Sequence, residues 1–250
     1  MIRLLVLFVA LISPALPVQA ERLISGISND TVQITSNFDG ERMTFYGTIA
    51  PEAGAEQRYV EGPYQVVIVV LGPTQDRVAR RKTHNLGIWL NTEEVAFKRF
   101  PSYFHVLSSK RLLEITDIAT LNENYILPEA HAMVPNPAGF MRTLNFGREL
   151  IRLMSEEGLF GVQETGVQFM SDSFYSAQLI LPSNAPPGPY VAQTYVFKDG
   201  QIVARRSDGF AVRKMGFERF LAQSATQYPL LYGIACVILA LFTGWLGGVL

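Results

Sequence analysis

Three histidines, His84, His105 and His131, are the residues of this chain best suited to acid–base or metal chemistry. Imidazole titrates near neutrality and is the commonest metal ligand. Their spacing argues against a local site, because no two stand at a metal-binding interval such as H-x₃-H. If they converge in space with Asp or Glu, they would serve a ligand- or metal-binding enzyme. Solvated or locally bonded histidines are the ordinary alternative. There is no G-x-S-x-G elbow, no phosphate-binding P-loop and no G-x-G-x-x-G. The sequence therefore assigns no catalytic residue, no cofactor and no metal.

A second group could bind rather than react. Arg77, Arg80, Arg81 and Lys82 form a basic cluster, with Trp89 close by in sequence. Such a cluster suits anionic lipid headgroups or an acidic partner. It equally suits a solvated edge strand, where charge discourages strand addition. Tyr103 and Phe104 together with Trp89 could form an exposed aromatic patch; packing into the core is the ordinary expectation for them. A third group is Ala240, Gly244 and Gly248, small residues recurring every four positions. Gly-x-x-x-Gly at such spacing lets two membrane helices approach closely.

These groups need elements to hold them, and the last element is the clearest. Residues 229–250 contain no charged side chain. About 20 mostly apolar residues suffice to cross a bilayer, so this stretch reads as a transmembrane helix. Tyr228 and Tyr232 suit its interface. At the other end, residues 1–20 carry a charged start, a short apolar run and a closing Val-Gln-Ala, the pattern of a secretory signal. Removing it leaves 20 Lys+Arg (21 minus Arg3) against 22 Asp+Glu, a formal charge of −2. That balance gives no field for nucleic acid. The single cysteine, Cys236, lies in the span, so the exported part has no disulfide of its own. One feature opposes export: Arg205, Arg206, Arg213, Lys214 and Arg219 precede the span and nothing basic follows it. The positive-inside rule favours that side in the cytoplasm, but a long domain is translocated largely regardless of its charge. The export signal is given precedence.

Between the ends, residues 21–109 read as β. Val32, Ile34, Ser36 and Phe38 share one face, Asp39-Gly40 follows, and Met43, Phe45 and Gly47 alternate in what reads as the return strand of a hairpin. Residues 64–71 are apolar at almost every position, as in a strand buried on both faces. A basic strand at 77–82, a turn at Asn85 and Gly87, and a strand at 103–107 complete this half. Residues 110–158 turn helical. Thr120 and Glu123 fit a capping box and Pro128 closes that helix. Asn136 and Pro137 then open a longer helix, with Phe140, Leu144, Ile151 and Met154 on one face, Gly147 there for close packing, and Gly158 as its stop. Strands resume at 167–170, 174–181, 190–197 and 201–212, with a second hairpin turn at Asp199-Gly200. Residues 216–228 form an amphipathic link, with a break at Pro229. Too few strands follow the helical block to bury a face alone, so both ends must contribute to one core.

The segments Arg80-Arg81-Lys82, Gly87-Ile-Trp-Leu-Asn91 and Pro101-Ser-Tyr-Phe104 resemble the alphaproteobacterial putative transmembrane protein family. Asn37-Phe38-Asp39-Gly40, Phe45-Tyr46-Gly47, Leu181-Pro182 and Pro187-Gly188-Pro189-Tyr190 fit it too. The resemblance runs from signal to anchor. It implies an inner-membrane protein with a periplasmic domain and brings no catalytic residue. The closing order of strand, Leu-Pro, Pro-Gly-Pro-Tyr, strand, Asp-Gly and strand is similar to the end of an immunoglobulin-like sandwich.

The expected architecture is mainly β: a signal at 1–20, an immunoglobulin-like β-sandwich at 21–215 with a helical insertion at 110–158, a linker at 216–228 and a transmembrane helix at 229–250. The expected role is a membrane-anchored periplasmic accessory or interaction protein beside another inner-membrane protein, such as a transporter. Its expected contacts are the lipid bilayer and a partner span or second copy met through Ala240, Gly244 and Gly248. Nucleic acid is not among them. The alternative is a periplasmic ligand- or metal-binding enzyme using His84, His105 or His131.

Overall fold

The computed structural model describes residues 21–34, 40–51, 60, 62–85, 87–133, 140–214 and 217–249. The signal, the Asn136-Pro137 helix start and Asp39 lie outside these. The chain is mainly β, with 49% strand and 29% helix. Its first strands are β1 (Arg22–Ile27), β2 (Thr31–Ile34), β3 (Glu41–Ala50) and β4 (Gln65–Leu71). They are followed by β5 (Thr74–Asn85), β6 (Ile88–Pro101) and β7 (Phe104–Ser108). The helical block holds α1 (Leu112–Ile115), α2 (Ile118–Glu123), α3 (Pro128–His131) and α4 (Phe140–Glu156). Strands β8 (Phe160–Glu164), β9 (Val167–Phe169), β10 (Phe174–Leu181), β11 (Gly188–Lys198) and β12 (Gln201–Lys214) come next. Helices α5 (Phe217–Gln227) and α6 (Pro229–Val249) end the chain.

Two sheets share one core. The smaller has the order β1-β3-β10-β9 and the larger β2-β12-β11-β4-β7-β8. Each draws strands from before and after the helical block, as the shortage of late strands required. Phe45 of β3 meets Phe210 of β12 with ring centroids 6.4 Å apart, joining the sheets. Strand β4 is central in the larger sheet, and Val66 to Val70 are fully buried. One face of an apolar strand meets the smaller sheet. The other lies under the helices, as shown from the neighbouring strand by the Tyr195 hydroxyl, which donates to the Asn124 carbonyl at 3.2 Å. At one end of the sheet the Asp199-Gly200 hairpin forms as the sequence indicated. Both residues take positive φ, 51° and 81°, which this turn demands.

Several local readings need correction. The Asp39-Gly40 pair does not close a β2–β3 hairpin. Strand β2 pairs in parallel with β12, whereas β3 pairs with β1 and β10 in the other sheet. The connection therefore carries the chain between sheets. The cap of α2 is Asp117, whose carboxylate accepts the Thr120 N–H at 3.0 Å, and Pro128 opens α3 rather than ending α2. The buried face of α4 holds Thr143, Phe146, Gly147 and Met154. Gly147 and Met154 of the expected face are among them, whereas Phe140 is exposed. Strands β1 and β8 were not distinguished by pattern; β8 pairs in parallel with β7, register Phe104 to Phe160.

Candidate functional site

Strands β5 and β6 pair only with each other and form a separate two-stranded sheet among the described residues. This is where Arg77, Arg80, Arg81 and Lys82 belong. The register sets Arg80 opposite Glu94, Arg81 opposite Glu93, Lys82 opposite Asn91 and His84 opposite Trp89. Arg80 reaches Glu94 at 3.3 Å and Arg81 reaches Glu93 at 3.5 Å. Exposed pairs of this kind contribute little energy, on the order of 0.2–1 kcal/mol each, but they favour this register. A hydroxyl pair, Thr83 to Thr92 at 3.0 Å, sits at the bulge beside Lys82. Arg77 and Lys82 have no acidic partner among the described residues.

Aromatic packing holds the root of this arm. Phe97 and Phe100 are buried, and Phe100 stacks on Phe160 of β8 at 5.5 Å. Arg99, in the left-handed region at φ 51°, is held by its N–H donating to the Asp76 carboxylate at 2.9 Å. Farther out, the Arg81 guanidinium lies 5.6 Å from the Phe146 ring of α4. Gly147 has the close-packing role its position suggested. A Cβ there would stand 2.8 Å from Ala132 Cβ and 3.7 Å from Phe97.

Beyond α4 the arm continues to a tip that is apolar and open. Ile88 is 57% exposed, Trp89 68% and Leu90 45%. The expected core packing holds for Tyr103 and Phe104, which are fully buried, and fails for Trp89. The reason is topological: Tyr103 and Phe104 follow the arm back into the larger sheet, while Trp89 is next to its turn.

The root has a definite place. Strand β4 passes into β5 through Gly72-Pro73, and Pro73 packs against Gly188, where a Cβ would be 2.9 Å from its ring. Gly188 pairs with Val212 near the end of β12. The arm therefore springs from the end of the sheet at which the chain leaves for α5 and α6.

The histidines have separate surroundings. His84 meets Trp89 edge to face at 5.2 Å on the arm. His105 stacks on Tyr103 at 4.8 Å, with Nε2 3.3 Å from the Gly158 carbonyl. His131 stands with Nε2 3.1 Å from the Tyr125 carbonyl and its ring 4.9 Å from Phe104. Burial holds both His105 and His131 below the usual imidazole range, with the carbonyl contacts opposing it in part. No three His, Cys, Asp or Glu residues gather for a metal among the described residues. A cleft of 390 Å³ is lined by Gln163, Gln168, Gln178 and Glu164, and one of 750 Å³ by Tyr64, Phe169 and Asp172 among others. Neither includes a histidine.

One polar cluster was not legible from motifs. The Ser25 hydroxyl of β1 donates to Asp208 of β12, which Arg206 also meets at 3.2 Å. The fully buried Tyr175 of β10 lies beside them. Burial, with the Asp208 charge adding to it, pushes the Tyr175 phenol up to about 12. The cluster ties the two sheets together through polar side chains, and only pairing across nearly the whole chain brings it about.

Helix α6 is the sole element among the described residues long and apolar enough to span a membrane: Pro229–Gly248, mean hydropathy 2.1, none of it buried. Tyr228 separates it from α5, and a backbone bond from the Tyr232 N–H to the Tyr228 carbonyl bridges the join. Ala240, Gly244 and Gly248 are exposed along it, and a Cβ at Gly244 or Gly248 would meet nothing within 4 Å.

A β-rich domain joined to one apolar helix of spanning length defines a membrane-anchored protein. The family model titled "Putative transmembrane protein (Alph_Pro_TM)" matches residues 22–250, and the chain belongs to that family. No curated protein matches it. Among solved structures, the Pseudomonas fluorescens alkylpurine DNA glycosylase AlkC, bound to DNA containing an abasic site analog, is similar at 10% identity and TM-score 0.24. That likeness covers 78% of this chain and 31% of the other. The N-terminal domain of PorA is similar at 10% identity and TM-score 0.21, over 78% of this chain and all of the other. Neither likeness bears on function.

Proposed function

We propose that this protein is an accessory or interaction module of the bacterial inner membrane. Helix α6 anchors it, the β domain stands in the periplasm, and it works beside another inner-membrane protein such as a transporter. In this reading the two sheets form an immunoglobulin-like sandwich, exported by the signal at 1–20. The observation that carries the proposal is the β5–β6 arm. A tethered domain that projects a two-stranded ribbon with an apolar tip is built to present a surface, since exposed apolar patches mark sites of contact. The open row of Ala240, Gly244 and Gly248 supports a helix contact with a partner span or a second copy.

The test is photo-crosslinking in native membranes, with the crosslinker placed at Leu239 or Thr243 on α6 and the product identified by mass spectrometry. A specific membrane protein, or a second copy, is the expected product. Crosslinks to lipid alone would contradict the proposal.

A further inference from the structure

We infer that the tip of the β5–β6 arm docks into the headgroup region of the bilayer that holds α6. This rests on the proposal of a membrane-anchored module and names the occupant of its arm. Four observations lead there.

The first is how the tip displays its side chains. Cross-strand partners share a face of the ribbon, so His84 and Trp89 lie on one face and Thr83 and Leu90 on the other. Ile88, Trp89 and Leu90 are nonetheless all exposed. A strand that docks on a protein surface buries one face and keeps the other polar. A tip that shows an exposed apolar side chain on each face fits immersion in a medium that surrounds it.

The second is chemical type. Tryptophan is enriched where membrane meets water, because its ring is amphipathic. Behind the tip stand Lys82 and Arg80 on the Trp89 face, and Arg77 and Arg81 on the other. Residues 74–101 carry six basic and three acidic side chains, a balance of +3 in a chain whose total is −1. Anionic headgroups complement that charge.

The third is place and reach. The arm springs from the end of the sheet nearest the exit toward α6. Residues 215–228 separate β12 from α6. As helix, the 11 residues of α5 span about 16 Å. The 12 residues of β5 span about 40 Å. Of these, residues 82–85 lie past the Arg81–Phe146 contact and project about 13 Å beyond α4, a length comparable with that tether.

The fourth sets the depth. Both outer edges of a two-stranded ribbon carry unpaired backbone groups, which hydrocarbon does not tolerate. The tip therefore stops among the hydrated headgroups. Two points of attachment, α6 and the arm, would hold the domain at a fixed tilt, so that one face is offered to a neighbour of α6.

The chain makes the experiment clean, because its only tryptophans are Trp89 and Trp245. Trp245→Phe leaves Trp89 as the sole indole reporter. The full-length variant is reconstituted into vesicles of phosphatidylcholine, with and without phosphatidylglycerol, and with lipids brominated near the top of the acyl chain. Flotation with the vesicles reports the anchor separately. The expected result is blue-shifted Trp89 emission, quenching by bromolipid and protection from acrylamide, stronger with phosphatidylglycerol. Replacing Lys82 by Gln should weaken the tip's partition by a factor of about five. A protein that floats while Trp89 stays fully quenchable by acrylamide and insensitive to bromolipid would overturn the inference and leave the anchor intact. It would assign the tip to a protein partner. A protein that fails to float would refute the membrane-anchored reading itself.

Discussion

The contact between Gly147 on α4 and Ala132 just after α3 permits a prediction whose sign is unusual. Glycine inside a helix is worth about 1 kcal/mol less than alanine, so Gly→Ala on a helix is ordinarily stabilising. Here the added Cβ would lie 2.8 Å from Ala132 Cβ. Two methyl carbons at rest stay roughly 3.5–4 Å apart, so one backbone must retreat by close to an ångström. Neither side chain can rotate away, because a Cβ is fixed by its own backbone. Ala132 is buried, and the Phe97 ring of the arm lies 3.7 Å from the same added Cβ. Overpacking of this kind costs about 1–3 kcal/mol. Set against the propensity gain, Gly147→Ala should destabilise by about 0–2 kcal/mol. Ala132→Gly removes the opposing methyl, so in that background Gly147→Ala should become stabilising, by up to about 1 kcal/mol. The assay is denaturant unfolding of the four proteins of this cycle in detergent, and the coupling is the observable. An alanine at 147 that stabilises equally in both backgrounds would refute the close approach of α3, α4 and the arm.

Two further outcomes follow from the same structure. His105 and His131 are held below the ordinary value of 6.5 by burial, so the unfolded chain takes up protons first as pH falls. Stability should therefore be full above 6.5 and decline below it until the folded-state histidines titrate, and a His105→Gln, His131→Gln variant should lose that slope in melts between pH 7 and 5.5; an unchanged slope would show that other groups carry it. On α6, Gly244→Ile should weaken helix association in a transmembrane-association assay on residues 228–250 while Leu239→Ile does not, whereas equal signals from all three sequences would mean that the small-residue row makes no contact.

Much of the fold could be read from residues whose meaning is local. The unbroken apolar run at 64–71 identified the central strand because only burial on both faces tolerates it. Asp199-Gly200 marked a true hairpin because both flanking strands belong to one sheet. The same dipeptide at 39–40 misled, since it specifies backbone angles and not which strands are to pair. The partner of β2 is β12, almost the full chain away, and nothing in Thr31–Ile34 records that. The expected face of α4 holds at Gly147, Ile151 and Met154 and fails at its start, where Phe140 is exposed. The first turns of the packed face are Thr143, Phe146 and Gly147, where Ala132 and Phe97 approach most closely. The arm was half legible: the basic strand and the Trp89 segment both stood out. That they pair only with each other, and leave Trp89 open while Tyr103 and Phe104 are buried, is a property of the sheet order. The cluster of Ser25, Tyr175, Arg206 and Asp208 had no motif, because its members meet only after three strands are in register.

The central claim is that the β domain stands in the periplasm on a single C-terminal span. Cys236 is the only cysteine, so a Cys236→Ala background allows one placed thiol to report topology. Lys110 is exposed, in the turn before α1, and Lys110→Cys supplies that thiol. The measurement is labelling of spheroplasts with a membrane-impermeant maleimide, before and after lysis. The account predicts full labelling of intact spheroplasts with no increase on lysis. Labelling that appears only after lysis would place the domain in the cytoplasm, as the basic residues before the span would favour, and would contradict the account.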